Sequence, residues 1–147
     1  EFRIEEAMAA LRWPAARPPA RADGLWRHAC FEVFAQDAAG GYREMNLAPS
    51  GEYAVYQFAG YRAGMEPAPV PSAPCIHWHC EAEHGMLTAS FAPQLLRPKG
   101  LAPERLGLAA VIEQLDGALS YWALHHPGPR PDFHHPDGFI AAPPAGV

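Results

Sequence analysis

Apolar residues in this chain come in short runs separated by proline and glycine, and several runs alternate with polar residues at a period of two. Phe2-Arg3-Ile4-Glu5 alternates like a strand, whereas Glu5 to Arg12 is rich in helix formers, so both readings stay open there. Pro14 to Asp23 is expected to be a loop, because Pro18-Pro19 continues neither kind of element. Cys30 to Phe34 predicts a strand closed by Ala38-Ala39-Gly40-Gly41. Tyr42 to Leu47 and Glu52 to Phe58 predict two more, divided by the turn Pro49-Ser50-Gly51. Pro67 to Pro74 reads as a stiff extended connector inside the domain.

Two hairpins are expected in the second half. A two-residue turn at His84-Gly85 would pair Ala82 with Leu87, Cys80 with Ala89 and Trp78 with Phe91 on a core face that includes Ile76. The opposite face would carry His77, His79 and Glu81. A turn at Asp116-Gly117 would pair Ile112 with Tyr121 and Ala110 with Ala123. The other face would then pair Glu113 with Ser120 and Val111 with Trp122, leaving Trp122 on an open surface. Arg105 to Leu115 also suits a helix, but Asp-Gly followed at once by Leu119-Ser120-Tyr121-Trp122 favours the hairpin. After Leu124, the stretch His125 to Phe139 holds four prolines and two glycines, so a long irregular loop rich in Asp, His and Phe is expected.

Composition narrows the class. At 147 residues one domain is expected, covering 1–140 with a tail at 141–147. Hydrophobic residues at 49% and charged residues at 18% suit a packed core. Seventeen prolines and thirteen glycines between short apolar runs point to an all-β fold, a two-sheet antiparallel sandwich of jelly-roll type with long loops. A net charge of −5 with only 11 Lys and Arg gives no basic stripe for nucleic acid. No apolar run reaches the ~18 residues of a membrane span, so a soluble protein is expected. Three cysteines, an odd number, argue for reduced core thiols and lean towards the cytoplasm. The chain begins at Glu1, so a preceding segment, a leader included, is left open.

Several stretches carry a family resemblance. They are Leu25-Trp26-Arg27-His28-Ala29-Cys30-Phe31-Glu32-Val33-Phe34, Tyr42 to Gly51, Tyr56-Gln57-Phe58 with Gly60-Tyr61-Arg62, Ser120 to Leu124, and Pro131-Asp132-Phe133-His134-His135-Pro136-Asp137-Gly138-Phe139. In that order they resemble the bacterial DOMON-like proteins, related to type 9 carbohydrate-binding modules. The resemblance implies a β-sandwich that binds sugar or haem, and a further strand before the first one seen here. In the sugar modules, aromatic rings hold the sugar while a carboxylate near one ring binds its hydroxyls, and Trp26 and Glu32 match that pair.

The expected ligand site therefore comprises Trp26, His28, Glu32, Arg62, Trp122, Asp132, Phe133, His134 and His135, with no catalytic residue and no metal. Trp26 is either a platform for a pyranose or a core residue at the mouth of the sandwich. Glu32, between Phe31 and Val33, needs a partner if buried: a ligand hydroxyl, or a structural arginine such as Arg43 or Arg62. Trp122 enters as a second aromatic clamp from the hairpin geometry. Asp132 to Asp137 either cap the turns of the loop or form one wall of the site. His77 and His79, two apart on one strand face, could join Glu81 as metal ligands, but a solvated strand face shows the same pattern.

The leading function is a non-catalytic carbohydrate-binding module. The alternatives are a haem-binding redox domain, or a metal protein or enzyme using the histidines of the C-terminal loop. No Gly-x-Ser-x-Gly elbow, P-loop, dinucleotide fingerprint or Cys-x-x-Cys-His attachment motif occurs. Glu32 with Asp132 or Asp137 could form a pair of carboxylates for glycoside hydrolysis, but nothing in the sequence requires it.

Overall fold

A computed structural model describes residues 1–144. Nine strands form: β1 (Phe2–Glu5), β2 (Cys30–Gln36), β3 (Tyr42–Leu47), β4 (Tyr53–Phe58), β5 (Glu66–Pro67), β6 (Cys75–Cys80), β7 (His84–Ser90), β8 (Arg105–Glu113) and β9 (Leu119–Ala123). They build two antiparallel sheets, one ordered β1-β7-β6 and one ordered β5-β4-β3-β2-β8-β9. The fold is an all-β two-sheet sandwich. Only short 3₁₀ turns interrupt it among the described residues, and no helix there is long and apolar enough to cross a membrane.

Strand alternation explains the packing. Phe31, Val33, Met45, Leu47, Val55, Leu106, Ala110 and Ile112 point inward from the large sheet and meet Leu87, Ile76, Trp78 and Phe2 of the small one. The central strand β2 is unusual in being buried along its whole length. Its outward residues lie under a second apolar layer, in which Phe34, Tyr42, Ala54, Tyr56, Phe58, Ala109 and Phe139 pack with Leu25, Trp26, Ala123 and Phe133. Leu25 and Trp26 come from the segment before β2, Ala123 ends β9, and Phe133 comes from the loop after it. The long loops thus roof the outer face of the large sheet.

Both hairpins differ in register from the sequence expectation. Trp78 pairs with Leu87 rather than Phe91, a slide of four residues that keeps every side chain on its expected face. Gly85 is a strand residue, not a turn residue: a Cβ there would lie 2.5 Å from the Trp78 ring and 2.9 Å from Met8 Sδ. The turn falls on Glu81 to His84 instead, closed by Glu81 N–H donating to His84 O at 2.8 Å.

The second hairpin slips by one. Gly117 N–H donates to Gln114 O (3.0 Å), Gln114 N–H donates to Ala118 O (2.8 Å), and Gly117 has φ +89°. That is a three-residue loop ending in a left-handed glycine. A one-residue slip exchanges the faces of β9. Tyr121 now pairs with Val111 on the outer face, and Trp122 pairs with Ala110 on the inner face. Trp122 is still 63% exposed, on the edge strand of its sheet.

At the ends, Phe2–Glu5 is a strand and the helix-rich stretch after it yields only the 3₁₀ turn Met8–Ala10. Arg105–Glu113 is a strand, not a helix. Ala141, expected to start a tail, exchanges two backbone hydrogen bonds with Leu106 (2.8 and 3.0 Å), while 145–147 lie outside the described residues. Cys30 is buried, but Cys75 and Cys80 are exposed, so two of the three thiols are not core residues. Cys75 points to the outer face of the small sheet, and Cys80 ends its strand at the turn.

Candidate functional site

On the outer face of the large sheet the roof leaves a cleft of about 620 Å³. Its floor carries two carboxyl groups. The register sets Glu32 opposite Asn46 and Phe34 opposite Glu44, which makes Glu32 and Glu44 diagonal neighbours on β2 and β3. They are 3% and 4% exposed. Asn46 Nδ2 donates to Glu44 Oε1 at 2.7 Å, and the Cys30 thiol donates to Asn46 Oδ1 at 3.5 Å. Glu32 has no hydrogen-bond partner among the described residues. Burial pushes the Glu32 carboxyl well above the usual carboxylate range, and the charge of Glu44 adds to it. Burial also raises Glu44 to about 7, against the opposing effects of Asn46 and Arg62.

The walls are mostly aromatic. Trp26 sits on a 3₁₀ turn entered through Gly24 at φ +77°, and its ring meets Tyr56 edge-on at 5.9 Å. Tyr56 donates its hydroxyl to Asp23, which Arg21 grips with two nitrogens at 2.8 and 3.1 Å. Phe58, Tyr121 and Phe133 complete the apolar lining with Met65, Val111 and Pro131. Phe133 meets Tyr121 edge-on at 6.1 Å.

Arg62 and His134 bring donors to the cleft. Asp132 holds Arg62 at 2.8 Å, accepts the Tyr61 hydroxyl at 2.6 Å and caps the backbone N–H of His134 at 3.2 Å. Partial burial works against the Asp132 charge, but Tyr61 and Arg62 hold the group below its ordinary range. The His134 ring lies edge-on to Phe34, Tyr42 and Phe58. Burial lowers its pKa to about 4, with the charge of Arg62 acting the same way. The imidazole is therefore neutral at physiological pH.

Five of the nine expected residues, Trp26, Glu32, Arg62, Phe133 and His134, line this one cleft. Asp132 stands behind Arg62 as its anchor. The other three lie elsewhere. His28 Nδ1 is 2.9 Å from the buried Glu113, which Arg12 also approaches at 3.4 Å, so His28 serves that carboxylate. His135 caps the next turn, accepting Asp137 N–H at 3.2 Å. Trp122 faces away because of the one-residue slip, and Tyr121 takes the position expected for it.

The structural arginine expected for Glu32 is not there. Arg43 points to the inner face and donates to Gln94 O at 2.6 Å, and Arg62 makes its side-chain hydrogen bond to Asp132 and not to Glu32. Glu44, Phe58, Met65, Val111, Tyr121 and Pro131 line the cleft without having been expected. Glu44 was within reach of the sequence, since a hairpin through Gly40-Gly41 sets it beside Phe34, on the face that also carries Glu32.

Comparison of the chain with protein families, with curated proteins and with solved structures finds no match.

Proposed function

We propose that the cleft binds a small hydroxyl-rich ligand, a carbohydrate, without transforming it. The observation that carries this reading is the Glu32 carboxyl, buried at the base of an open cleft with no partner among the described residues. Its oxygens open onto the cleft, where a ligand hydroxyl can bond to them in place of water. Trp26, Phe58, Tyr121 and Phe133 offer flat apolar surface for the C–H faces of a sugar ring. Arg62 uses one N–H of its five on Asp132 and has others for ligand oxygens. The likeness of the Trp26 and Glu32 segments to sugar-binding modules agrees with this, and so does their placement on one cleft.

A glycosidase reading is less well supported. Hydrolysis needs one carboxyl kept as an acid and one kept ionised, on opposite sides of the bond. Glu32 and Glu44 both come from the floor, and burial raises both. Asp132 is engaged by Tyr61 and Arg62, and Asp137 does not line the cleft. Haem would have Met65 and His134 as axial candidates on the same cleft. The donor set suits it poorly, because Nε2 of His134 faces the buried Glu44 carboxyl at 3.8 Å and Met65 is half exposed.

A panel of neutral mono- and oligosaccharides, read by thermal shift and followed by calorimetry, tests the proposal. At least one sugar should raise the melting temperature of the wild type and fail to do so in Trp26→Ala. The proposal fails if no sugar shifts the wild type, if the shift survives Trp26→Ala and Glu32→Gln together, or if the purified protein shows a Soret band.

A further inference from the structure

On the side of the sandwich opposite the cleft, the outer face of the small sheet concentrates metal-ligating groups. Alternation along β6 sends Cys75, His77 and His79 outward, and along β7 it sends His84 and Met86. The register sets His79 opposite Met86 and Glu5 opposite His84. The turn brings three of these groups to one point. His79 Nε2 lies 3.0 Å from Glu81 Oε1, and His84 Nε2 lies 3.6 Å from Glu81 Oε2. The donor atoms of all three side chains fall within 4.8 Å of one another.

We propose that His79, Glu81 and His84 bind one divalent transition-metal ion, with Zn²⁺ the best match and water in the remaining position. Two imidazoles and one carboxylate suit a borderline ion and disfavour Ca²⁺ or Mg²⁺, which take oxygen ligands. Tetrahedral ligands at ~2.0–2.1 Å from a metal are about 3.4 Å apart. The imidazoles reach different oxygens of Glu81, at 3.0 and 3.6 Å, and all donor atoms lie within 4.8 Å of one another, so an ion would draw the three side chains together by rotation about their exposed ends.

The backbone beneath the site is already fixed. Besides the bond from Glu81 to His84, Glu6 N–H donates to Glu83 O (3.1 Å) and Met8 N–H donates to Ala82 O (2.9 Å), tying the turn to the N-terminal segment. Solvent-exposed polar contacts such as those of Glu81 with the two imidazoles contribute little, so a metal displaces them readily. The site differs from the His77, His79 and Glu81 set that the sequence suggested. His77 Nε2 lies instead 3.2 Å from Cys75 Sγ, and His84 takes its place.

The test is calorimetric titration of tag-free, EDTA-stripped and dialysed protein with ZnCl₂. One saturable site is expected. His79→Ala and His84→Ala should each weaken it by at least the ~10–100-fold that loss of even an outer-shell partner costs. His77→Ala should leave affinity unchanged. His77 and His79 are exposed and His84 is partly buried, and circular dichroism of each variant confirms that it folds. The proposal is overturned if no saturable binding occurs, if binding survives the double variant His79→Ala/His84→Ala, or if His77→Ala removes it.

Discussion

The Tyr42 hydroxyl lies 2.8 Å from Nδ1 of His134. The backbone N–H of Arg62 donates to the same oxygen at 3.2 Å, which favours the arrangement in which the phenol proton goes to Nδ1. Neutral His134 then carries its hydrogen on Nε2, facing Glu44 Oε2 at 3.8 Å. That gap is too long for a hydrogen bond. A ligand oxygen or a water placed between the two could accept from the imidazole and donate to the carboxylate.

Because His134 is lowered to about 4 and Glu44 is raised to about 7, the two groups pull stability in opposite directions with pH. Unfolded His134 takes up a proton near 6.5, so its contribution is complete above that pH and lost as pH falls towards 4. Unfolded Glu44 releases its proton near 4.5, so its contribution is complete below that pH and lost as pH rises to 7. Relative to wild type, Glu44→Gln should gain stability as pH rises from 4.5 to 7. The cost of His134→Gln should shrink as pH falls from 6.5 to 4. Each change should be on the order of 3 kcal/mol. Urea unfolding of the variants beside wild type at each pH cancels the groups that do not interact with the replaced one, and because Glu44 raises Glu32 the Glu44→Gln comparison is made in a Glu32→Gln background. Slopes of the opposite sign would contradict the placement of these two side chains.

Glu32 and Trp26 should separate stability from binding. Neutralising a buried carboxyl that has no cation beside it relieves desolvation, so Glu32→Gln should raise the melting temperature above neutral pH while sugar affinity falls. Trp26→Ala removes stacking surface and should weaken binding as well. The double variant should lose less than the sum, because a sugar without the ring no longer sits squarely over the carboxyl. A fall in melting temperature for Glu32→Gln would mean that the group has a structural partner after all.

The sequence carried the fold better than the site, and the reason is periodicity. Alternation alone assigns the residues of β6 and β7 to their faces, and it survives the four-residue slide of Trp78 because four is even. The one-residue slip at Gly117 does not preserve faces, and it replaced Trp122 by Tyr121 in the cleft. Dipeptides such as Asp116-Gly117 mark a turn without stating whether its loop has two residues or three. Trp26, Glu32 and Arg62 come from separate elements, and only tertiary packing brings them together. His28 lies outside the cleft for a similar reason: Glu113, its partner, is distant in sequence.

Trp122 and Tyr121 offer a direct check on that register. Trp122→Ala should cost well under the ~3–5 kcal/mol of a buried aromatic truncation, since the ring is mostly exposed and its Nε1 bonds only to Ser120 Oγ at 3.0 Å. It should leave sugar affinity untouched. Tyr121→Ala should weaken affinity, because that ring lines the cleft beside Phe133. Weakened binding in Trp122→Ala with normal binding in Tyr121→Ala would restore the two-residue turn.

Gly107 connects the sheet to the roof. It sits opposite Phe34 on β8, and a Cβ there would collide with the Phe139 ring and press on Phe34 Cβ at 3.4 Å. Phe139 is fully buried, stacks on Phe34 at 5.5 Å and packs against Tyr42 at 5.7 Å. It anchors the end of the loop that carries Asp132, Phe133 and His134. Gly107→Ala should therefore cost ~1–3 kcal/mol by overpacking and weaken ligand binding, although Gly107 does not line the cleft. Phe139→Leu alone should also destabilise by loss of ring contacts. Combined, the smaller side chain gives the new methyl room, so the double variant should be more stable than the sum of the single costs predicts. Chemical unfolding of the four proteins measures the coupling. Strict additivity would show that Phe139 does not rest on Gly107, and that the roof is held to the sheet by other contacts.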